Sequence, residues 1–152
     1  MRLTIRCFLL FAVTSILIGC ASPSMLPRSA NEVAFGSTKE GKTGWSSYRE
    51  DARFQGVTKA KVIEAAKAGL GDAGFALRRV DALQGVAIGE HGMTAHDWNV
   101  IAGVYMKEEG RDVLVAVLVE GSKDVGFSGD VTSGGWTGRI LKGMREYLKS
   151  GF

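Results

Sequence analysis

Apolar and polar positions along the chain fall into three regimes. Positions 7–18 are uncharged and mostly apolar, whereas positions 21–46 mix Ser, Pro, Gly, Lys, Thr and Asn with scattered apolar residues and show neither a helical nor a strand period. From there on the pattern becomes regular. Residues 48–55 predict a first strand, with Ala52 and Phe54 on one side and Arg53 and Gln55 on the other. Thr58 offers an N-cap for a helix to about Ala73, with Val62, Ile63, Ala66 and Leu70 as its apolar stripe and Lys59, Lys61, Glu64 and Lys67 facing water. Gly74 is placed to end it in a left-handed conformation. Residues 75–80 and 85–90 read as strands around the turn 81–84, and 100–107 with 112–120 as a hairpin closed near Glu109 and Gly110. A glycine- and serine-rich loop, 121–135, leads into a last helix, 136–149, striped by Trp136, Ile140, Leu141, Met144, Tyr147 and Leu148.

The order strand, helix, four strands, helix predicts an α+β domain: a small antiparallel sheet of four to five strands with two helices packed on one face. Within it, Val113, Val115, Val117 and Val119 share one sheet face. Leu114, Ala116 and Leu118 occupy the other. A strand that is apolar on both faces is covered on both faces, and two helices on one side leave the second face needing a cover or a partner. Leu114 and Leu118 are therefore candidate interface residues, together with Phe127 between Gly126 and Ser128 in the glycine-rich loop. Trp136 and Tyr105 are expected in the core.

The first twenty residues specify where such a domain works. Arg2 and Arg6 precede the apolar run, which has the length of a secretory core and is short for a bilayer span. The run closes with Leu17-Ile18-Gly19-Cys20, which resembles the lipobox of bacterial lipoproteins. That resemblance implies cleavage between Gly19 and Cys20, a diacylglyceryl group on the Cys20 thiol and an acylated new amino terminus. Several acyl chains, at about 0.8 kcal/mol per buried methylene, hold far better than one. The domain boundaries expected are a signal peptide over 1–19, a lipidated cysteine with flexible tether over 20–46, and a single domain over 47–152. Such a tether has an end-to-end distance of about 25–30 Å. In the sorting rule of Gram-negative lipoproteins, Asp after the cysteine retains a protein in the inner membrane. Ala21 here implies the outer membrane, facing the periplasm.

Charge changes little once the leader is set aside. Without Arg2 and Arg6 the 19 basic residues become 17, against 16 acidic ones, and no basic run interleaved with aromatics remains to neutralise phosphates. Nucleic acid is not an expected partner. Of the two cysteines, Cys7 lies in the leader, so the mature chain has no intrachain disulfide to form in the envelope.

Residues 36–43, Gly-Ser-Thr-Lys-Glu-Gly-Lys-Thr, satisfy the phosphate-binding loop pattern. That chemistry requires a strand before the loop and a helix after it, and neither is predicted, so no nucleotide is expected. Residues 69–74 match the spaced glycines of a dinucleotide fingerprint but close a helix instead of opening one. The segment 90–98 gathers both histidines with carboxylates, making His91, His96 and Asp97 the candidate metal ligands, since imidazole and carboxylate suit zinc, nickel or copper. Ser128 lacks the glycine spacing of a nucleophile elbow.

From about Ala52 to Leu148 the pattern resembles small uncharacterised bacterial lipoproteins whose domain opens with a helix ending Leu-Gly-Asp-Ala-Gly-Phe, here Leu70 to Phe75, followed by Gly-Val-Ala-Ile and a Val-rich hairpin. The element order is also similar to the helix-grip repeats of a lipoprotein subunit of the outer-membrane barrel-assembly machinery. Neither resemblance brings catalytic residues. The expectation is a membrane-anchored, non-catalytic module for protein interaction or envelope maintenance, with no cofactor besides the lipid on Cys20. The alternative is a ligand- or metal-binding periplasmic domain using the His91/His96 loop.

Overall fold

A computed structural model describes residues 22–36, 41–42, 47–92, 99–121 and 135–151. Thr58 starts helix α1, Lys59–Asp72, with its hydroxyl accepting from the Lys61 amide at 3.4 Å. The stop is a Schellman cap. Gly74 sits at φ +86°, its amide donates to the Gly71 carbonyl, and the Phe75 amide donates to Leu70, both at 2.9 Å. The Leu70 and Phe75 side chains are both buried beneath the cap. The glycines that mimic a dinucleotide fingerprint thus end a helix.

The strands are β1 (Gly41–Lys42), β2 (Ser47–Phe54), β3 (Ala76–Asp81), β4 (Val86–His91), β5 (Val100–Glu109) and β6 (Asp112–Gly121). They form one antiparallel sheet in the order β1-β2-β6-β5-β4-β3, five long strands with the two-residue β1 at one edge. The fold is α+β as expected. Helix α1 carries the chain from β2 across the sheet to the far edge at β3, and three hairpins bring it back until β6 pairs with β2. Gly110, at φ +64°, supplies the left-handed residue of the two-residue β5–β6 turn. Gly41 and Lys42 lie in a strand paired with Arg49 and Tyr48, where a phosphate-binding loop would need to open a helix.

Helix α2, Trp136–Ser150, packs with α1 on one sheet face. The core between them contains Val62, Ile63, Ala66 and Leu70 of α1, Trp136, Ile140, Leu141 and Met144 of α2, and the Val113–Val119 row of β6. The helices touch at glycine. A Cβ on Gly69 would lie 2.8 Å from Met144 Cγ, and one on Gly143 would lie 2.9 Å from Gly69 Cα. Tyr147, expected in the stripe, is 43% exposed, and Leu148 is only partly buried at the margin of the core.

The second face holds a separate apolar cluster of Val86, Ile88, Ile101, Tyr105 and Ala116, with Leu118 at its edge. Its cover is the segment 22–36, which brings in Leu26, Ala30 and Val33, each less than a tenth exposed, and half-buried Phe35. This overturns the flexible tether for residues 22–36. They form short 3-10 turns at Pro23–Met25 and Ala30–Glu32 and belong to the folded unit. The physical reason is the unmet apolar face. Burying a Leu or Val side chain is worth about 1.5–3 kcal/mol, enough to offset the ordering of a short segment.

Candidate functional site

Three places in the structure gather chemistry: the clasp on the second face, the aromatic end of the helix layer, and the outer surface of the helices. The clasp joins the covering segment to the sheet at successive points. Tyr105 projects from β5 with its ring over Gly103, where a Cβ would come within 2.7 Å of the ring, and its hydroxyl donates to the Pro27 carbonyl at 2.8 Å. Glycine at 103 is what lets the ring lie flat. Burial pushes the Tyr105 phenol above its ordinary range, reinforced by the charges of Glu32 and Glu120. Further along, the Ala30 amide donates to Gln84 in the β3–β4 turn at 2.9 Å. At β2, Arg49 grips Asp51 through two hydrogen bonds of 2.7 and 2.8 Å and also donates to the Ala34 carbonyl, while Asp51 accepts from the Gly36 amide at 3.0 Å. Both side chains are largely buried, so this ion pair is worth more than a surface pair.

The expected interface residues of β6 lie beside the clasp. Leu118 packs against the second cluster at the edge of the covering segment and Leu114, on the same strand face, is half-buried. Phe127 lies outside the described residues.

At the aromatic end, His91 is the last residue of β4, paired with Val100, and is not part of a loop. Its ring meets Phe75 edge-on at 5.8 Å and lies 4.7 Å from Trp136, which meets Phe75 at 5.2 Å. The Arg139 guanidinium sits 4.3 Å over the indole. Buried His91 Nδ1 and Trp136 Nε1 find no hydrogen-bond partner among the described residues. His96 and Asp97, the other candidate ligands, lie outside those residues. Among the described residues no group of three or more His, Cys, Asp and Glu side chains is placed to hold a metal ion. The Glu90 carboxylate pairs with Arg78 at 2.8 Å.

The helix layer carries a feature that the apolar stripes did not reveal. Between the start of α1 and the end of α2 lies an open groove of about 510 Å³ lined by Ala60, Lys61, Glu64, Tyr147, Leu148, Ser150 and Gly151. Along the exposed side of α2 run Arg139, Lys142, Arg145 and Lys149, with Glu146 the one acidic residue of that helix. Residues 99–121 show the opposite balance, with Lys107 and Arg111 against Glu108, Glu109, Asp112 and Glu120. Arg53 is held there by Glu109 and Asp112. The stripe is readable at helical spacing, whereas the groove, which none of its four basic side chains lines, needs the two helices in place.

No protein-family model matches the chain, and no curated protein does. Among solved structures, the chain is similar to an uncharacterised protein from Bacillus thuringiensis at 11% identity and TM-score 0.50, covering 68% of this chain and 99% of that one. It also aligns with Ara h 8.0201 at 13% identity and TM-score 0.49, covering 68% and 97%, and with a Thermus thermophilus protein at 12% identity and TM-score 0.43, covering 69% and 98%. The first of these likenesses bears on fold alone. Among the described residues no helix is long and apolar enough to cross a membrane.

Proposed function

We propose that the protein is a lipid-anchored module of the bacterial envelope, attached through Cys20 to the outer membrane facing the periplasm, and that it acts without catalysis by binding an acidic, amphipathic segment of a partner protein along α2. The carrying observation is the mostly apolar groove at Tyr147 and Leu148, at the end of a helix whose exposed side carries Lys142, Arg145 and Lys149. An acidic amphipathic segment matches both features: its apolar side chains fill the groove and its carboxylates meet the basic positions, which steer encounter and fix register. The lipobox motif supports the anchor.

The test places a photo-crosslinking residue at Tyr147 in intact cells, with and without Lys142→Glu and Arg145→Glu. The expected result is a discrete crosslinked protein whose attached peptide is acidic, lost on charge reversal while abundance and lipidation stay constant. A crosslink that survives charge reversal, or one to a basic or lipid partner, refutes the proposal.

A further inference from the structure

The proposed lipid anchor and the second-face clasp together orient the domain. Ser22 caps the first 3-10 turn, Pro23–Met25, and Leu26, the first residue packed on the sheet, follows Cys20 by six positions. Six residues of fully extended chain reach at most about 22 Å, and the 3-10 turn at Pro23–Met25 shortens that reach. A flexible tether would let the domain stand off the bilayer and tumble. A root this short does neither.

The segment that begins at this root lies on the sheet face opposite the helices and is fixed there by Tyr105, Gln84, Arg49 and Asp51. We propose that this covered face rests against the phospholipid surface, with Met25 and Leu83 as its apolar contacts, leaving the helix layer directed away. The Met25 side chain folds back over the root, its sulfur accepting from the Ser22 amide at 3.4 Å, and it is still 38% exposed. Leu83 is 93% exposed, the most exposed large apolar side chain among the described residues, in the turn bonded to Ala30 through Gln84. A leucine held in water at a turn is unfavourable, and placing it at the headgroup boundary removes that cost. Arg28, exposed three residues after Met25 on the covering segment, suits anionic headgroups. The occupant is lipid rather than protein because the proposed acyl chains are rooted five residues before Met25 and six before Leu26, the first residue packed on the sheet. On this geometry the groove on the helices faces the periplasmic space, where a partner segment can reach it.

The inference rests on the lipid-anchor reading, and the experiment separates the two. Full-length protein is expressed with a single thiol at Leu83→Cys, Met25→Cys or, as control, Gly71→Cys. A Cβ at Gly71, on α1, meets nothing within 4 Å. The processed, lipidated proteins are labelled with an environment-sensitive fluorophore and reconstituted into phosphatidylethanolamine–phosphatidylglycerol vesicles containing brominated lipid. Acylation leaves Cys20 unreactive, and Cys7 leaves with the leader. Labels at 83 and 25 are expected to be quenched several-fold more than the label at 71. Equal quenching at all three sites, with mass spectrometry showing acylated Cys20, overturns the orientation and leaves the anchor standing. Unmodified Cys20 with protein released from the vesicles overturns both.

Discussion

Leu26→Ala asks whether the residues between the lipobox and the first long strand belong to the fold. Leu26 is 4% exposed and joins a cluster with Val86, Ile88, Ile101 and Tyr105. Truncating a buried leucine costs about 2–5 kcal/mol through lost transfer energy and residual cavity. The cover here is a single segment thick and can settle partway into the space, which places the cost near the lower end, at about 2–3 kcal/mol. For a domain of this size, each kcal/mol shifts Tm by roughly 3–5 °C, so a drop of about 6–15 °C is expected. Thermal and urea unfolding of the mature chain, made soluble by Cys20→Ser, measures it. The urea midpoint is expected to fall with an unchanged slope, since the same surface is exposed on unfolding. A cost under about 0.5 kcal/mol, as at an exposed position, refutes the packed segment.

Other expectations follow from single contacts. Gly69→Ala drives a Cβ into the Ile140 carbonyl and Met144, so the helices must separate; a loss of about 1–3 kcal/mol in urea unfolding is expected, whereas Gly71→Ala, with open space around it, is expected to be neutral or to stabilise by up to about 1 kcal/mol. Burial raises the folded-state pKa of Tyr105 above its unfolded value near 10, so its contribution to stability is fully present below that pH and lost as pH rises toward the folded value. Urea stability measured across the alkaline range is therefore expected to decline less steeply in Tyr105→Phe than in the parent. Equal slopes would place Tyr105 in water. The same variant is expected to lose about 0.5–1.5 kcal/mol at neutral pH with the Pro27 hydrogen bond.

Most of the fold was legible because its signals are local. Thr58 and Gly74 bracket α1, Gly110 marks the β5–β6 turn, and the alternation of Val113 to Val119 with Leu114 to Leu118 sets the strand faces. The same alternation stated that the second face needs a cover. What it did not state was which segment supplies it. Leu26, Ala30 and Val33 are scattered apolar positions without a sustained period, and the serines, prolines and glycines around them have the composition of a linker. Their burial is decided by a sheet face distant in sequence, which no local period encodes. For the candidate site, His91 was found by its chemistry, but its setting was not: its place on β4, between Phe75 and Trp136, depends on three elements meeting. The groove at Tyr147 exists because α2 continues past the core, a matter of helix length against sheet width.

The claim on which the orientation of the domain depends is that residues 22–36 are folded onto the sheet. Hydrogen–deuterium exchange of the mature protein reads this directly at the Ala30 amide, which donates to Gln84 across the cover. The account predicts that Ala30 exchanges with protection comparable to the Met106 amide, which donates to Gly85 within the sheet layer. Exchange of Ala30 at the rate of an unstructured peptide, with Met106 protected, would contradict it.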